Sequence, residues 1–187
     1  SAATAISVLD PPVANFSANA TVIPTGSAVA FTDASTGNVT AWAWDFGDGN
    51  TSTDRNATHT YSTAGLQTVS LTVSNAYGED TETKVSYIDV GHPPVADFTP
   101  SATIGVVPAV ITFTDTSDHT PTAWLWDFGD GNNSTHQNPS HTYVTAGTYT
   151  VALTVSNAYG EDTETKTGLL TLYDPVTASV TAETAAG

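Results

Sequence analysis

Two pairs of aspartates have a spacing that acid–base chemistry or cation binding could use. Asp45 and Asp48 lie three positions apart in a WDFGDG segment, and Asp127 and Asp130 occupy the same places in a second copy of it. Asp48 and Asp130 each stand between two glycines, where a tight turn favours aspartate. Asp45 and Asp127 alternate away from the neighbouring tryptophans, so we expect them to accept hydrogen bonds from turn amides. The spacing therefore predicts a structural turn rather than catalysis.

The histidines show no ligand or catalytic spacing. His59 and His141 recur in equivalent places, each two residues before a tyrosine, which indicates a structural capping role. The other three, His92, His119 and His136, form no metal-ligand pattern such as HExxH. The chain has no cysteine, and no serine lies in a GxSxG elbow. We therefore predict that the protein is not an enzyme, with no catalytic, metal-binding or cofactor-binding residue.

Aromatic side chains are the strongest candidates for binding a sugar ring. Trp44 and Trp126 share strand parity with Phe46 and Phe128, and so do Trp42 and Trp124; this parity predicts that all four tryptophans face a core. Two tyrosines lie in NAYG turns and are the better candidates for exposed aromatics, namely Tyr77 and Tyr159, although aromatics in such turns more often pack against the turn.

These residues recur because the chain contains two copies of one unit. Trp124 follows Trp42 by 82 positions, and Leu71–Lys84 is identical to Leu153–Lys166. A period of this length indicates two complete small domains rather than a solenoid. The predicted divisions are an N-terminal tail (1–10), a first domain (11–90), a proline-containing linker (91–94), a second domain (95–173) and a C-terminal tail (174–187). Because prolines restrict the linker, we expect a stiff pair.

Hydrophobic residues alternate with period two throughout both copies, and no helical periodicity occurs. The alternation changes phase between Val85 and Ile88, which predicts a β-bulge near Tyr87. Short strands separated by Gly, Pro, Asn and Asp predict an all-β protein with two tandem immunoglobulin-like β-sandwiches.

The WDFGDG segment, the following His-Thr-Tyr and Ala-Gly, and the strand TVxLTVSN together resemble the PKD (polycystic kidney disease) domain family. The resemblance implies an extracellular, immunoglobulin-like domain of surface-layer proteins, adhesins or secreted proteases and polysaccharide-degrading enzymes. Some members of that family bind calcium through an Asp-x-Asp-Gly loop before the tryptophan strand. Residues 35–38 (STGN) and 117–120 (SDHT) stand there instead, without paired carboxylates. We therefore expect no cofactor, and calcium is the one cation that the resemblance leaves open.

The charge balance limits the classes of partner. Three basic residues against 19 acidic ones give a formal net charge of −16, which opposes binding to nucleic acid and to anionic membranes. No stretch of 18 apolar residues occurs, so membrane insertion is not expected. Residues 1–9 are too short and uncharged for a signal peptide.

Acceptor sequences for N-glycosylation, N-x-S/T with x not proline, are unusually frequent. At this Ser and Thr content, ten asparagines would give about three by chance. The chain has seven, at Asn15, Asn19, Asn38, Asn50, Asn56, Asn132 and Asn133. The excess favours an acidic glycoprotein of the cell exterior.

The two ends carry single strand patterns without a partner. At the repeat offset, Ile6 and Val8 align with the last strand of a unit, whereas Val176, Ala178 and Val180 align with the first strand of one. Either the chain is part of a longer array or these segments are frayed tails, or they pair with neighbouring subunits head to tail.

The sequence thus predicts a non-enzymatic structural or adhesive subunit of a cell-surface layer or filament, whose partners are copies of itself or cell-envelope proteins. The alternative is an accessory or spacer module of a secreted hydrolase, which binds polysaccharide or protein.

Overall fold

The computed structural model describes residues 10–178, and within this range all regular structure is β-strand. The chain divides into two compact units. The first contains the described chain up to Pro93 together with Ala158–Gly160, and the second contains Pro94–Asn157 and the described residues from Glu161 onward.

Among the described residues, eight strands form the first unit. They are β1 (Phe16–Ala18), β2 (Val22–Pro24), β3 (Ala28–Asp33), β4 (Ala41–Asp45), β5 (Thr51–Ser52), β6 (Ala57–Thr60), β7 (Gly65–Asn75) and β8 (Gly78–Gly91). The strands of the second unit follow in the same order. They are β9 (Phe98–Pro100), β10 (Ile104–Val106), β11 (Ala109–Asp115), β12 (Ala123–Asp127), β13 (Asn133–Ser134), β14 (Ser140–Tyr143), β15 (Gly147–Asn157) and β16 (Gly160–Tyr173).

The described strands of each unit form a three-stranded and a five-stranded sheet. In the first unit the strand orders are β1-β3-β6 and β2-β8-β7-β4-β5, and in the second they are β14-β11-β9 and β10-β16-β15-β12-β13. The short edge strands β2 and β10 run parallel to β8 and β16. This arrangement confirms the all-β prediction.

The core of each unit is the apolar side of the alternating strands. Trp44 and Trp126 are buried, as their parity predicts, and each ring packs edge-on against a phenylalanine of the opposite sheet, Phe16 or Phe98, with centroids 5.2 and 5.0 Å apart. Trp42 and Trp124 are half-buried at the margin of the core. The prediction of a core position is therefore right for the first pair and only partly right for the second.

The predicted bulge near Tyr87 is confirmed. Gln67 pairs with Ile88 and Val69 pairs with Lys84, so three residues of β8 lie opposite Thr68 alone. Ser86, at the bulge, has a φ of 51°. The bulge adds two residues to β8, so its even-numbered side chains face the core on both sides of it, Lys84 before it and Ile88 after it, and Val85 is exposed.

Side chains of β8 connect the two sheets where no backbone ladder does. The Nζ of Lys84 donates to the carbonyl oxygen of Phe16 at 2.6 Å, and the backbone N–H of Ala14 donates to Asp80 at 2.8 Å. Lys166 and Asp162 make the same bonds in the second unit. Two of the three basic residues of the chain, Lys84 and Lys166, therefore link the two sheets of their units.

Candidate functional site

The aspartates with the most suggestive spacing lie in the hairpins that follow β4 and β12. The backbone N–H of Gly47 donates to Asp45 at 2.9 Å, and that of Asn50 donates to Asp48 at 3.1 Å. Asp127 and Asp130 make equivalent bonds in the second unit. The predicted turn role is confirmed for all four carboxylates.

Each hairpin is joined to the three-stranded sheet through a histidine, a link that the spacing did not predict. The Nε2 of His59 lies 2.7 Å from the Oδ2 of Asp48, and the imidazole stacks on Phe46 with ring centroids 4.3 Å apart. The hydroxyl of Tyr61 then donates to the carbonyl oxygen of Phe46 at 3.1 Å. His141, with Asp130, Phe128 and Tyr143, repeats this arrangement. The structural role predicted for both histidines is confirmed.

The electrostatics of this cluster favour one fixed protonation pattern. Burial opposes ionisation of Asp48, but hydrogen bonds from His59 and Asn50 outweigh it and hold the pKa of that carboxyl below its usual range. Burial, followed by the negative charges of Asp48 and Asp45, raises the pKa of Tyr61 above its ordinary value. The carboxylate is therefore ionised and the phenol neutral at pH 7, a pattern that holds the turn together and moves no proton.

Each unit has a second carboxylate site, which the sequence analysis did not predict. Asp33 accepts from the Nε1 of Trp42 at 2.9 Å, from the backbone N–H of Ser35 at 2.9 Å and from the Nε of Arg55 at 3.2 Å. In the second unit Asp115 accepts from Trp124, Ser117 and Gln137. Both tryptophans are thus held at the core margin by a carboxylate. The recurrence of aspartate at the repeat offset was the signal that could have found it.

These contacts bear directly on calcium, because Asp33 and Asp115 precede the loops where the resemblance allows a site. Both oxygens of each carboxylate already accept N–H hydrogen bonds. Within residues 10–178 no group of three or more His, Asp or Glu side chains is placed to hold a metal ion. The donor set of these loops therefore does not suit a cation that takes six to eight oxygen ligands.

The exposed aromatics differ from those expected. Tyr77 is 55% exposed, whereas Tyr159 is half-buried, so of the two candidates only Tyr77 is an exposed aromatic. Tyr173, at the end of β16, is 56% exposed and was missed. Its parity, opposite to that of the buried Leu172, was the available signal.

The remaining candidate residues are those for glycosylation and for assembly. The asparagines of all seven acceptor sequences are exposed, namely Asn15, Asn19, Asn38, Asn50, Asn56, Asn132 and Asn133. Val176 is 97% exposed and, like Ala178, lies in no strand. Ile6, Val8 and Val180, the other assembly candidates, lie outside the described residues.

A shallow depression of about 210 Å³ lies beside the β12–β13 hairpin, between Leu125 and Asn133. It is smaller than the roughly 300–1,000 Å³ typical of small-molecule sites. Between residues 10 and 178 no helix is long and apolar enough to cross a membrane.

The chain is similar to parts of several known proteins. The chain is similar to Collagenase ColA from Bacillus cereus, with 46% identity over 55 residues, which make up 29% of this chain and 6% of that protein. It is also similar to the PKD1 domain of the Vibrio cholerae metalloprotease PrtV, at 31% identity over 43% of this chain and 96% of that domain, with a TM-score of 0.37.

The titin I-band fragment I67-I69 is 15% identical, covers 88% of this chain and 66% of that one, and has a TM-score of 0.59. This likeness concerns the fold alone and confirms the immunoglobulin-like sandwich prediction. A family model described as the PKD domain matches residues 9–90 and again residues 91–171. Because the two matches together span most of the sequence, the chain belongs to the PKD domain family, of which it contains two tandem copies.

Proposed function

We propose that this chain is a non-catalytic tandem module of a secreted protein, which holds a hydrolase domain of the same protein against an insoluble polymer. The observation that carries the proposal is the similarity to Collagenase ColA, of which the chain matches only 6% of the length. A match confined to so small a part of an enzyme favours an accessory role. It supports this alternative more than the surface-layer or filament subunit that the sequence first favoured.

The hydrogen bonds of the polar residues support a non-catalytic role. In both units the carboxylates and imidazoles with suggestive spacing are bonded to turn amides, to each other or to indole N–H groups. A catalytic group instead needs access to a substrate and a pKa suited to proton transfer. The ionised Asp48 and the neutral Tyr61 provide neither.

The exposed aromatics are the candidate contacts with the polymer. Tyr77 and Tyr173 present more than half of their surface to solvent, one in each unit. Tyrosine supplies an apolar ring and a hydroxyl, which suits both sugar rings and the side chains of a protein fibre. The net charge of −16 repels anionic polymers, so we expect a neutral polysaccharide or a fibrous protein such as collagen.

Cosedimentation with insoluble collagen and with cellulose or chitin tests the proposal. Saturable retention on one of these polymers is expected, in the presence of moderate salt that screens weak charge effects. Recovery of all the protein in the supernatant with every polymer would overturn the binding role.

A second candidate function is a structural subunit that assembles head to tail at a cell surface. It is favoured by Val176, which is almost fully exposed and lies with residues 174–178 in no strand. In the sequence, the alternation of this segment continues to Val180. An unpaired alternating segment is a template for another sheet edge. Sedimentation velocity tests it: large species that disappear on deletion of residues 176–187 support assembly, and a monomer near 19.3 kDa contradicts it.

A further inference from the structure

We infer that Asn19 and Asn56 are sites of N-linked glycosylation, whereas Asn50 and Asn132 remain unmodified although all four lie in acceptor sequences. This inference goes beyond the proposed function, since it concerns a covalent modification of the first unit. It follows from which atom of each asparagine side chain, Oδ1 or Nδ2, already interacts with the rest of the protein.

Asn19 and Asn56 bond to the protein through their oxygen atoms. The backbone N–H of Ala30 donates to the Oδ1 of Asn19 at 2.9 Å, and that of Asp33 donates to the Oδ1 of Asn56 at 2.9 Å. Both asparagines are exposed. A glycan is attached to Nδ2, so the bond to Oδ1 persists in the glycosylated protein and holds the amide plane in place.

Asn50 and Asn132 use their side chains in the opposite way. The Nδ2 of Asn132 donates to the Oδ2 of Asp130 at 3.1 Å. Asn50 occupies the equivalent place beside Asp48, and its side chain contributes to the lowered pKa of that carboxyl. Those carboxylates also bond His141 and His59 at 2.8 and 2.7 Å. A sugar on Nδ2 would therefore be placed against the aspartate–histidine pair that holds the hairpin.

The second unit provides a natural comparison for both proposed sites. Ser101 and Asn138 replace Asn19 and Asn56 and accept the same backbone bonds, at 3.0 and 2.8 Å. Ser101 has no amide, and Asn138 is followed by Pro139, which abolishes the acceptor sequence. The fold thus needs a hydrogen-bond acceptor at these places, but the acceptor sequence belongs to the first unit alone.

The two proposed sites lie on the same sheet. Asn19 follows β1 and Asn56 precedes β6, and these strands flank β3 on its two sides. Their contacts on β3, Ala30 and Asp33, are three residues apart, which corresponds to about 10 Å along a strand. These two glycans would therefore lie along the three-stranded sheet of the first unit.

The reaction requires a polyprenyl-phosphate-linked oligosaccharide and an oligosaccharyltransferase. The Nδ2 of the asparagine attacks the anomeric carbon of the first sugar, the bond from that carbon to the phosphate oxygen breaks, and the lipid phosphate leaves with the electron pair. One Nδ2 proton passes to a base of the transferase. No oxidation or reduction takes place.

Glycopeptide mapping by mass spectrometry, on protein isolated from its natural source, tests the inference. Glycans on Asn19 and Asn56, with Asn50 and Asn132 unmodified, are expected. Unmodified Asn19 and Asn56, or occupancy of Asn50 or Asn132 equal to theirs, would overturn it.

Variants expressed in the same source sharpen the test without disturbing the bonds to Oδ1. Thr21→Ala and Thr58→Ala each remove an acceptor sequence at an exposed threonine and should each lower the intact mass by one glycan. Pro139→Ala turns residues 138–140 into an acceptor sequence with the geometry of Asn56 and should add one glycan. If Pro139→Ala folds, as judged by an unchanged Tm, and adds no glycan, the proposed geometric rule is wrong.

Discussion

The Nε2 of His59 lies 2.7 Å from the Oδ2 of Asp48, and the same atoms of His141 and Asp130 lie 2.8 Å apart. This bond joins the hairpin after a core tryptophan strand to the neighbouring three-stranded sheet. In both units, aspartates and histidines, which are residue types common in catalysis, therefore stabilise the fold.

The first prediction concerns the acid stability of this pair. Because the folded state holds the pKa of Asp48 below its usual range, its contribution to stability is complete above about pH 4, the ordinary carboxyl pKa, and is lost as the pH falls through the lower folded value. Asp48→Asn should therefore lower the free energy of unfolding by about 1 kcal/mol at pH 7. The deficit should shrink at pH 3.

Urea unfolding at pH 7 and pH 3 measures this difference. Glu79→Gln, at an exposed carboxylate on β8, is the control and should change little at either pH. A deficit of the same size at both pH values would contradict the role assigned to the Asp48 charge.

The second prediction separates two glycines of the same hairpin. Gly47 and Gly49 have φ values of 85° and 91°, so alanine is strained at both. A Cβ at Gly47 would also collide with the carbonyl oxygen of Thr68, whereas a Cβ at Gly49 meets open space. Gly49→Ala should cost about 1 kcal/mol, and Gly47→Ala about 3 kcal/mol because overpacking adds to the strain.

Thermal unfolding of both variants checks the order, and Gly129→Ala with Gly131→Ala repeats it in the second unit, where the carbonyl oxygen of Thr150 takes the place of that of Thr68. Equal losses for Gly47→Ala and Gly49→Ala would show that the close approach to Thr68 has no energetic effect.

The third prediction concerns calcium. Asp33 and Asp115 already accept N–H bonds on both oxygens, so added calcium should leave the Tm of the protein unchanged. A site filled at about 100 times its Kd would stabilise its unit by about 2.7 kcal/mol, which corresponds to a Tm rise of about 10 °C or more for a unit of this size. Differential scanning calorimetry with calcium and with a chelator measures the shift. A saturable rise that the chelator reverses would contradict this reading of the two carboxylates.

The sequence predicted what depends on local alternation. The burial of Trp44 and the turn bonds of Asp45 each follow from the residues within one strand or turn. The bond from Trp42 to Asp33 and that from His59 to Asp48 join different strands, and parity alone does not show which residues meet there. Tyr77 and Tyr159 make the limit clear. Both lie within the segment that is identical in the two units, yet one is exposed and the other half-buried, so local sequence could not distinguish them.

The most direct test of the proposed accessory role is equilibrium cosedimentation of wild-type protein and the Tyr77→Ala/Tyr173→Ala double variant with insoluble collagen, cellulose and chitin. Leu66→Ala, at a 62% exposed aliphatic side chain, is the matched control. We predict saturable retention of wild type and Leu66→Ala on one polymer, and retention weakened about tenfold for the double variant if each lost ring contact contributes about 0.7 kcal/mol. Absence of retention for wild type on every polymer would contradict the proposed function, whereas equal retention of all three proteins would contradict the role of the two tyrosines.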